Sequence, residues 1–176
     1  MIPIEQPGLL LRHGPAWLQQ QGISSTNLRR SLVAELPWQQ PLVRVYGKQH
    51  LTPRLTCWVA DPGCSYRYSG LSQAITAWTP ALEQLRQRLE QELGVRFNSL
   101  LLNRYRDGAD RMGWHSDDEA ELDPHAPIAS LSLGAGRDLR FRPRRAAAAA
   151  FAVHLDRKST RLNSSHSSVS RMPSSA

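Results

Sequence analysis

The sequence predicts an α+β fold with a mainly antiparallel, jelly-roll β core and helices gathered on the N-terminal side. Three observations lead there. Helical spacing of apolar residues occurs in only two segments, both before residue 95, whereas alternating or continuous apolar runs of strand length fill most of the chain from Pro41 to Arg142. Turn signals of the Asp-Pro-Gly and Gly-x-Gly kind punctuate those runs at Asp61-Pro62-Gly63 and Gly134-Ala135-Gly136. One apolar row, ending in Asn103 and Tyr105, continues into polar heads, as the inner wall of a small-ligand barrel does.

Gly8-Leu9-Leu10-Leu11 reads as a short edge strand broken by Gly14-Pro15. From about Thr26 to Leu36, Leu28, Leu32, Val33 and Leu36 stand at helical spacing, with Ser24, Ser25 or Thr26 as N-cap and Pro37 as the stop. Val43 and Val45 then alternate with their neighbours up to a turn at Gly47-Lys48. Arg54 to Val59 forms the next strand. Tyr66 and Tyr68 follow on one face of an extended segment, a pattern ordinary in sheet packing and equally suited to stacking a nucleobase beside Arg67 or Arg54. Thr79-Pro80 opens the strongest helix, with Leu82, Leu85, Leu89 and Leu93 along one side and Gly94 at its end. Phe97 to Tyr105 reads as a buried strand, and Pro127–Leu133, Asp138–Arg142 and Phe151–Leu155 as later ones.

The 176 residues suit one domain, placed at 1–155, and the Ser/Arg-rich stretch 156–176 reads as a disordered, non-native tail without apolar periodicity. That tail carries Arg157, Lys158, Arg161 and Arg171 against Asp156, so much of the net charge of +7 lies there and the remainder is only mildly basic. A nucleic-acid partner and a merely Arg-rich surface both fit this balance. No run reaches the roughly 18 to 20 apolar residues of a membrane span, and the start, MIPIEQPGLL, lacks a signal-peptide pattern. The expectations are a cytoplasmic monomer, no membrane partner, and two reduced cysteines, Cys57 and Cys64.

Chemistry concentrates in NRYRDGADRMGWHSDDE, residues 103–119. His115 and Asp117 are one residue apart, so on extended backbone both side chains project to the same side, where an imidazole nitrogen and a carboxylate oxygen can share a metal ion. His-x-Asp occurs often by chance. A two-His, one-carboxylate triad with open positions is the ligand set of non-haem Fe(II) oxygenases, and it requires a second histidine.

Three stretches, RLTCWVADPGCSYRYSG (54–70), FNSLLLNRYRDGADRMGWHSDDE (97–119) and PIASLSLGAGRDLRFR (127–142), together resemble the AlkB family of Fe(II)- and 2-oxoglutarate-dependent dioxygenases. The resemblance runs from about Val43 to Arg142 and is closest to the branch that repairs alkylated DNA and RNA. It implies a double-stranded β-helix, a jelly-roll variant, here incomplete at the C-terminus. It implies His115 and Asp117 as iron ligands, Asn103 and Tyr105 as 2-oxoglutarate contacts, Tyr66, Tyr68 and Ser69 in a lid over the damaged base, and Glu119 in the base pocket. Val45 to Lys48 is similar to a hairpin that probes the duplex.

The implied reaction consumes 2-oxoglutarate and dioxygen, hydroxylates the N-methyl carbon of N1-methyladenine or N3-methylcytosine, and releases formaldehyde, succinate and CO2. The family's distal iron-binding His and its carboxylate-clamping arginines lie further toward the C-terminus than any matching motif here; His125, His154 and His166 are the histidines beyond Asp117. Reduced activity is therefore expected, and a non-catalytic nucleic-acid-binding remnant of the same fold is the competing reading.

Overall fold

The computed structural model describes residues 1–6, 9–45, 47–64, 67–68, 71–72, 74–117, 123, 126–143, 150–155, 160–163 and 168–172. Helices and strands are mixed, as the sequence predicts. The chain divides into two compact units, residues 1–32 with 112–176, and residues 33–111.

The first unit carries two four-stranded antiparallel sheets. In one, the strands run Ile2–Gln6, Leu9–Gly14, Thr160–Asn163, Ile128–Leu131. In the other they run Met112–His115, Ser168–Met172, Arg137–Pro143, Phe151–Leu155. Leu139 and Phe141 lie two residues apart and pair in register with Val153 and Phe151, so one face of the ribbon is apolar. Leu11, Leu139, Phe141, Val153 and Leu155 make the buried cluster, with Ile4 and Phe151 against it and the Phe141 and Phe151 rings stacked at 5.2 Å.

One expectation changes here. Leu9–Gly14 is not an edge strand, since it has Ile2–Gln6 on one side and Thr160–Asn163 on the other. Within the stretch 156–176, the described segments Thr160–Asn163 and Ser168–Met172 take inner positions in the two sheets. The reason is main-chain hydrogen bonding: an unpaired strand edge accepts extended backbone whatever its side chains, so periodicity is not needed.

The second unit is built on Leu55–Ala60, which runs antiparallel to Ser99–Arg104 and parallel to Ile75–Thr76. Cys57, Trp58, Val59 and Ala60 are buried along it. Ser99–Arg104, expected to be buried, is half-buried throughout. Leu42–Val45 and Lys48–Leu51 form a separate two-stranded ribbon whose turn carries Gly47 at φ 78°, and Arg67–Tyr68 pairs with Leu71–Ser72.

The helix Pro80–Leu93 forms as its end signals predict. Thr79 Oγ1 accepts from the Leu82 amide, Pro80 occupies the first turn, and Gly94 closes the helix in the left-handed region at φ 68°. Asp61, at the end of Leu55–Ala60, ties this helix down by accepting from Trp78 Nε1 at 2.8 Å and from Arg86 at 2.7 Å, while the Arg86 guanidinium lies 4.3 Å above the Trp78 ring. The earlier helix, Ser25–Glu35, buries Leu28 and Leu32 and starts at Ser24, whose Oγ accepts from the Asn27 amide at 3.3 Å.

Candidate active site

His115 is the last residue of its strand, and Asp117 follows two residues on, where the strand has ended. The chain brings the two side chains together: His115 Nε2 stands 3.5 Å from Asp117 Oδ1. His115 Nδ1 lies 3.0 Å from the Gly113 carbonyl oxygen. A carbonyl can only accept, so Nδ1 carries a proton, which leaves Nε2, the nitrogen that faces Asp117, as the one available to a metal. Metal-binding imidazoles are held in this way, one nitrogen hydrogen-bonded to fix tautomer and ring plane and the other presented as ligand. Two donor atoms that share one divalent ion, each about 2.1 Å from it, are roughly 3 to 3.5 Å apart when adjacent in the coordination shell. The observed spacing and donor chemistry therefore fit a divalent transition metal.

Among the described residues, no third His, Cys, Asp or Glu gathers with this pair into a metal-binding group. His154 is engaged elsewhere: its Nδ1 lies 2.8 Å from Asp138 Oδ1, directly across the ladder. His125 and His166 lie outside the described residues.

Asn103 and Tyr105 belong to the 33–111 unit, His115 and Asp117 to the other. Asn103 pairs with Thr56 in the ladder, and its side-chain oxygen accepts from Arg54 Nε at 2.8 Å. Tyr105 follows the strand and is half-buried. The turn beyond it is held by its own side chains. Asp110, 4 % exposed, takes both Nε and a terminal nitrogen of Arg106 at 2.8 and 2.9 Å and also accepts from the Arg106 amide. Asp107 accepts from the Ala109 amide at 2.8 Å, and the Arg111 amide donates to the Pro53 carbonyl. Arg54 is an addition that the sequence does not reveal as a partner of Asn103, because the two are 49 residues apart and meet only through strand register. Of the expected lid and pocket residues, Tyr66, Ser69 and Glu119 lie outside the described residues, and Tyr68 is described as backbone in the Arg67–Tyr68 strand.

Comparison with known proteins decides the family. The 2OG-Fe(II) oxygenase superfamily profile matches residues 11–165. The chain belongs to the 2OG-Fe(II) oxygenase superfamily. Within it, similarity is to AlkB-type proteins: 48 % identity over 100 residues to the DNA oxidative demethylase ALKBH2 of Mus musculus, covering 57 % of this chain and 42 % of the relative. The Arabidopsis thaliana protein of that name is 43 % identical over 107 residues, covering 58 % of this chain and 34 % of its own length. The alpha-ketoglutarate-dependent dioxygenase alkB homolog 3 of Rattus norvegicus is 40 % identical over 112 residues, covering 63 % and 37 %. The chain thus spans about two fifths of the length of these curated relatives. Membership implies Fe(II) as cofactor and 2-oxoglutarate as co-substrate. No helix among the described residues is long and apolar enough to cross a membrane.

Proposed function

We propose that this chain is a dioxygenase that oxidatively dealkylates N-methylated bases, of the N1-methyladenine and N3-methylcytosine type, in DNA or RNA. The observation that carries the reading is the His115–Asp117 pair with the imidazole proton held on Nδ1 by the Gly113 carbonyl. The similarity to DNA oxidative demethylases supplies the substrate class. The AlkB-type fold implies a jelly-roll core, and a monomer in the cytoplasm remains the reading for assembly and compartment. The residues given roles below all lie within 1–155.

In this reading His115 and Asp117 hold the metal, which when bound couples decarboxylation of 2-oxoglutarate to oxidation of a C–H bond. His115 gives a neutral nitrogen ligand and Asp117 an anionic oxygen, so the site offsets part of a divalent charge and leaves room for a bidentate co-substrate. Asn103 and Tyr105 bind 2-oxoglutarate through an amide donor and a phenol. Tyr66 and Tyr68 stack on a base turned out of its helix, with Ser69 beside them, and Glu119 lines the pocket. The exposed Lys48–Leu51 strand, with its Gly47 turn, meets the nucleic acid.

The test is to incubate the full chain with Fe(II), 2-oxoglutarate and an oligonucleotide bearing N1-methyladenine, and to quantify succinate and formaldehyde. The two products are expected in equal amounts, and both absent for His115→Ala. Formaldehyde no higher than in the His115→Ala control overturns the dealkylation reading.

A further inference from the structure

We propose that Arg54 is a positioning residue for the co-substrate: by donating to Asn103 Oδ1 it turns the carboxamide so that its NH2 group faces the carboxylate to be bound. The inference rests on the co-substrate role given above to Asn103.

Arg54 is only 4 % exposed, and its Nε donates to Asn103 Oδ1 at 2.8 Å. A guanidinium removed from water is costly unless its N–H groups find acceptors. A carboxamide presents an acceptor on one side and two donors on the other, and nothing in an isolated Asn chooses between them. A charged donor chooses. With Nε–H against it, the oxygen orientation gains a charge-assisted hydrogen bond, whereas the flipped amide would set donor against donor. The Asn103 NH2 is thereby committed to the opposite direction, toward an acceptor-rich ligand such as a carboxylate.

Arg54 is itself fixed. Thr52, 1 % exposed, donates from Oγ1 to the Arg54 carbonyl at 3.1 Å, and Gln40 Nε2 donates to the Thr52 carbonyl at 2.8 Å. Arg106, clamped on Asp110, reaches Gln40 Oε1 at 3.5 Å. The chain of contacts from the Arg106–Asp110 turn through Gln40, Thr52 and Arg54 ends on Asn103, all within residues 33–111. Arg54 acts through Asn103.

The experiment measures 2-oxoglutarate affinity by titration calorimetry on the full chain loaded with Mn(II), where no turnover occurs, for Arg54→Met, Arg54→Gln, Asn103→Ala and the Arg54→Met/Asn103→Ala double variant. Loss of a hydrogen bond of this kind weakens binding by about tenfold. Arg54→Met is expected to show that loss, Arg54→Gln, which keeps an N–H donor, to recover most of it, and the double variant to bind no worse than Asn103→Ala. Asn103→Asp keeps the acceptor that Arg54 holds and removes the donor, so its thermal midpoint is maintained while 2-oxoglutarate weakens at least about tenfold. Unchanged affinity in Asn103→Asp overturns the inference whether or not Arg54→Met folds. Losses that multiply in the double variant overturn it while leaving the co-substrate role of Asn103 standing. Unchanged affinity in Asn103→Ala removes both.

Discussion

Cys57 and Cys64 show how local surroundings set the reactivity of the same side chain. Cys57 is 3 % exposed and its thiol donates to Thr76 Oγ1 at 3.6 Å, while Cys64 is half-exposed. Burial pushes the Cys57 thiol above its ordinary value of 9.0, an effect that the Thr76 hydroxyl partly offsets. Only thiolate reacts, so a disulfide reagent at pH 8 is expected to modify Cys64 at least about tenfold faster than Cys57 in the native chain, with the difference abolished in denaturant. Equal native rates, read by mass spectrometry of the labelled peptides, would contradict the burial of Cys57. The sign of the linkage follows. The native chain holds the Cys57 proton more tightly than the unfolded chain, so this contribution to stability is lost as pH rises past 9.0. At the proposed metal pair, Asp117→Asn keeps size and removes the proposed anionic ligand. Loss of a residue that only supports a ligand typically weakens metal binding 10- to 100-fold, so losing the ligand itself should cost at least about tenfold in a Mn(II) titration.

Among the elements, the helix Pro80–Leu93 offers the cleanest test of end signals. Thr79→Ala removes the cap to the Leu82 amide and is expected to cost about 1 kcal/mol in urea unfolding. Gly94→Ala forces a Cβ into the left-handed region at φ 68° and is expected to cost about 1 kcal/mol, although the Cβ itself would meet no atom within 4 Å. A Gly94→Ala protein as stable as the parent would show that the helix end relaxes. These caps were legible because they are local: Thr79, Pro80 and Gly94 act within a turn of one another. Leu55–Ala60 and Phe151–Leu155 were legible for the same reason, through their own apolar content. His115-x-Asp117 is likewise a near-neighbour pair, legible as a motif, although Asp117 lies past the end of the strand and strand alternation does not by itself account for the 3.5 Å approach. What the sequence concealed is non-local. Thr56 pairs with Asn103, which sets Arg54 against the carboxamide, and no pattern within either segment announces that register. An edge position for the run Gly8 to Leu11 does not hold for the strand Leu9–Gly14, because its second partner, Thr160–Asn163, comes from the far end of the chain.

On the scale of the whole molecule, the stretch 156–176 separates two physical expectations. Composition predicts that a Ser/Arg-rich segment without apolar period stays disordered. Topology places Thr160–Asn163 between Leu9–Gly14 and Ile128–Leu131, and Ser168–Met172 between Met112–His115 and Arg137–Pro143. Removing these inner strands leaves four facing edges with unpaired N–H and C=O groups, and Ser170, which stands opposite His115 in register, no longer braces the strand that carries the proposed metal ligand. A chain ending at Leu155 is therefore expected to lose amide-exchange protection in 112–115 and 137–143, to associate through its open edges, and to bind Mn(II) more weakly than the full chain. Protection in 55–60 and 99–104 should persist, because that ladder lies wholly within the 33–111 unit. Identical protection and metal affinity in both chains would mean that main-chain pairing does not outweigh the ordering entropy of a segment so poor in apolar residues, and that the two sheets close without it.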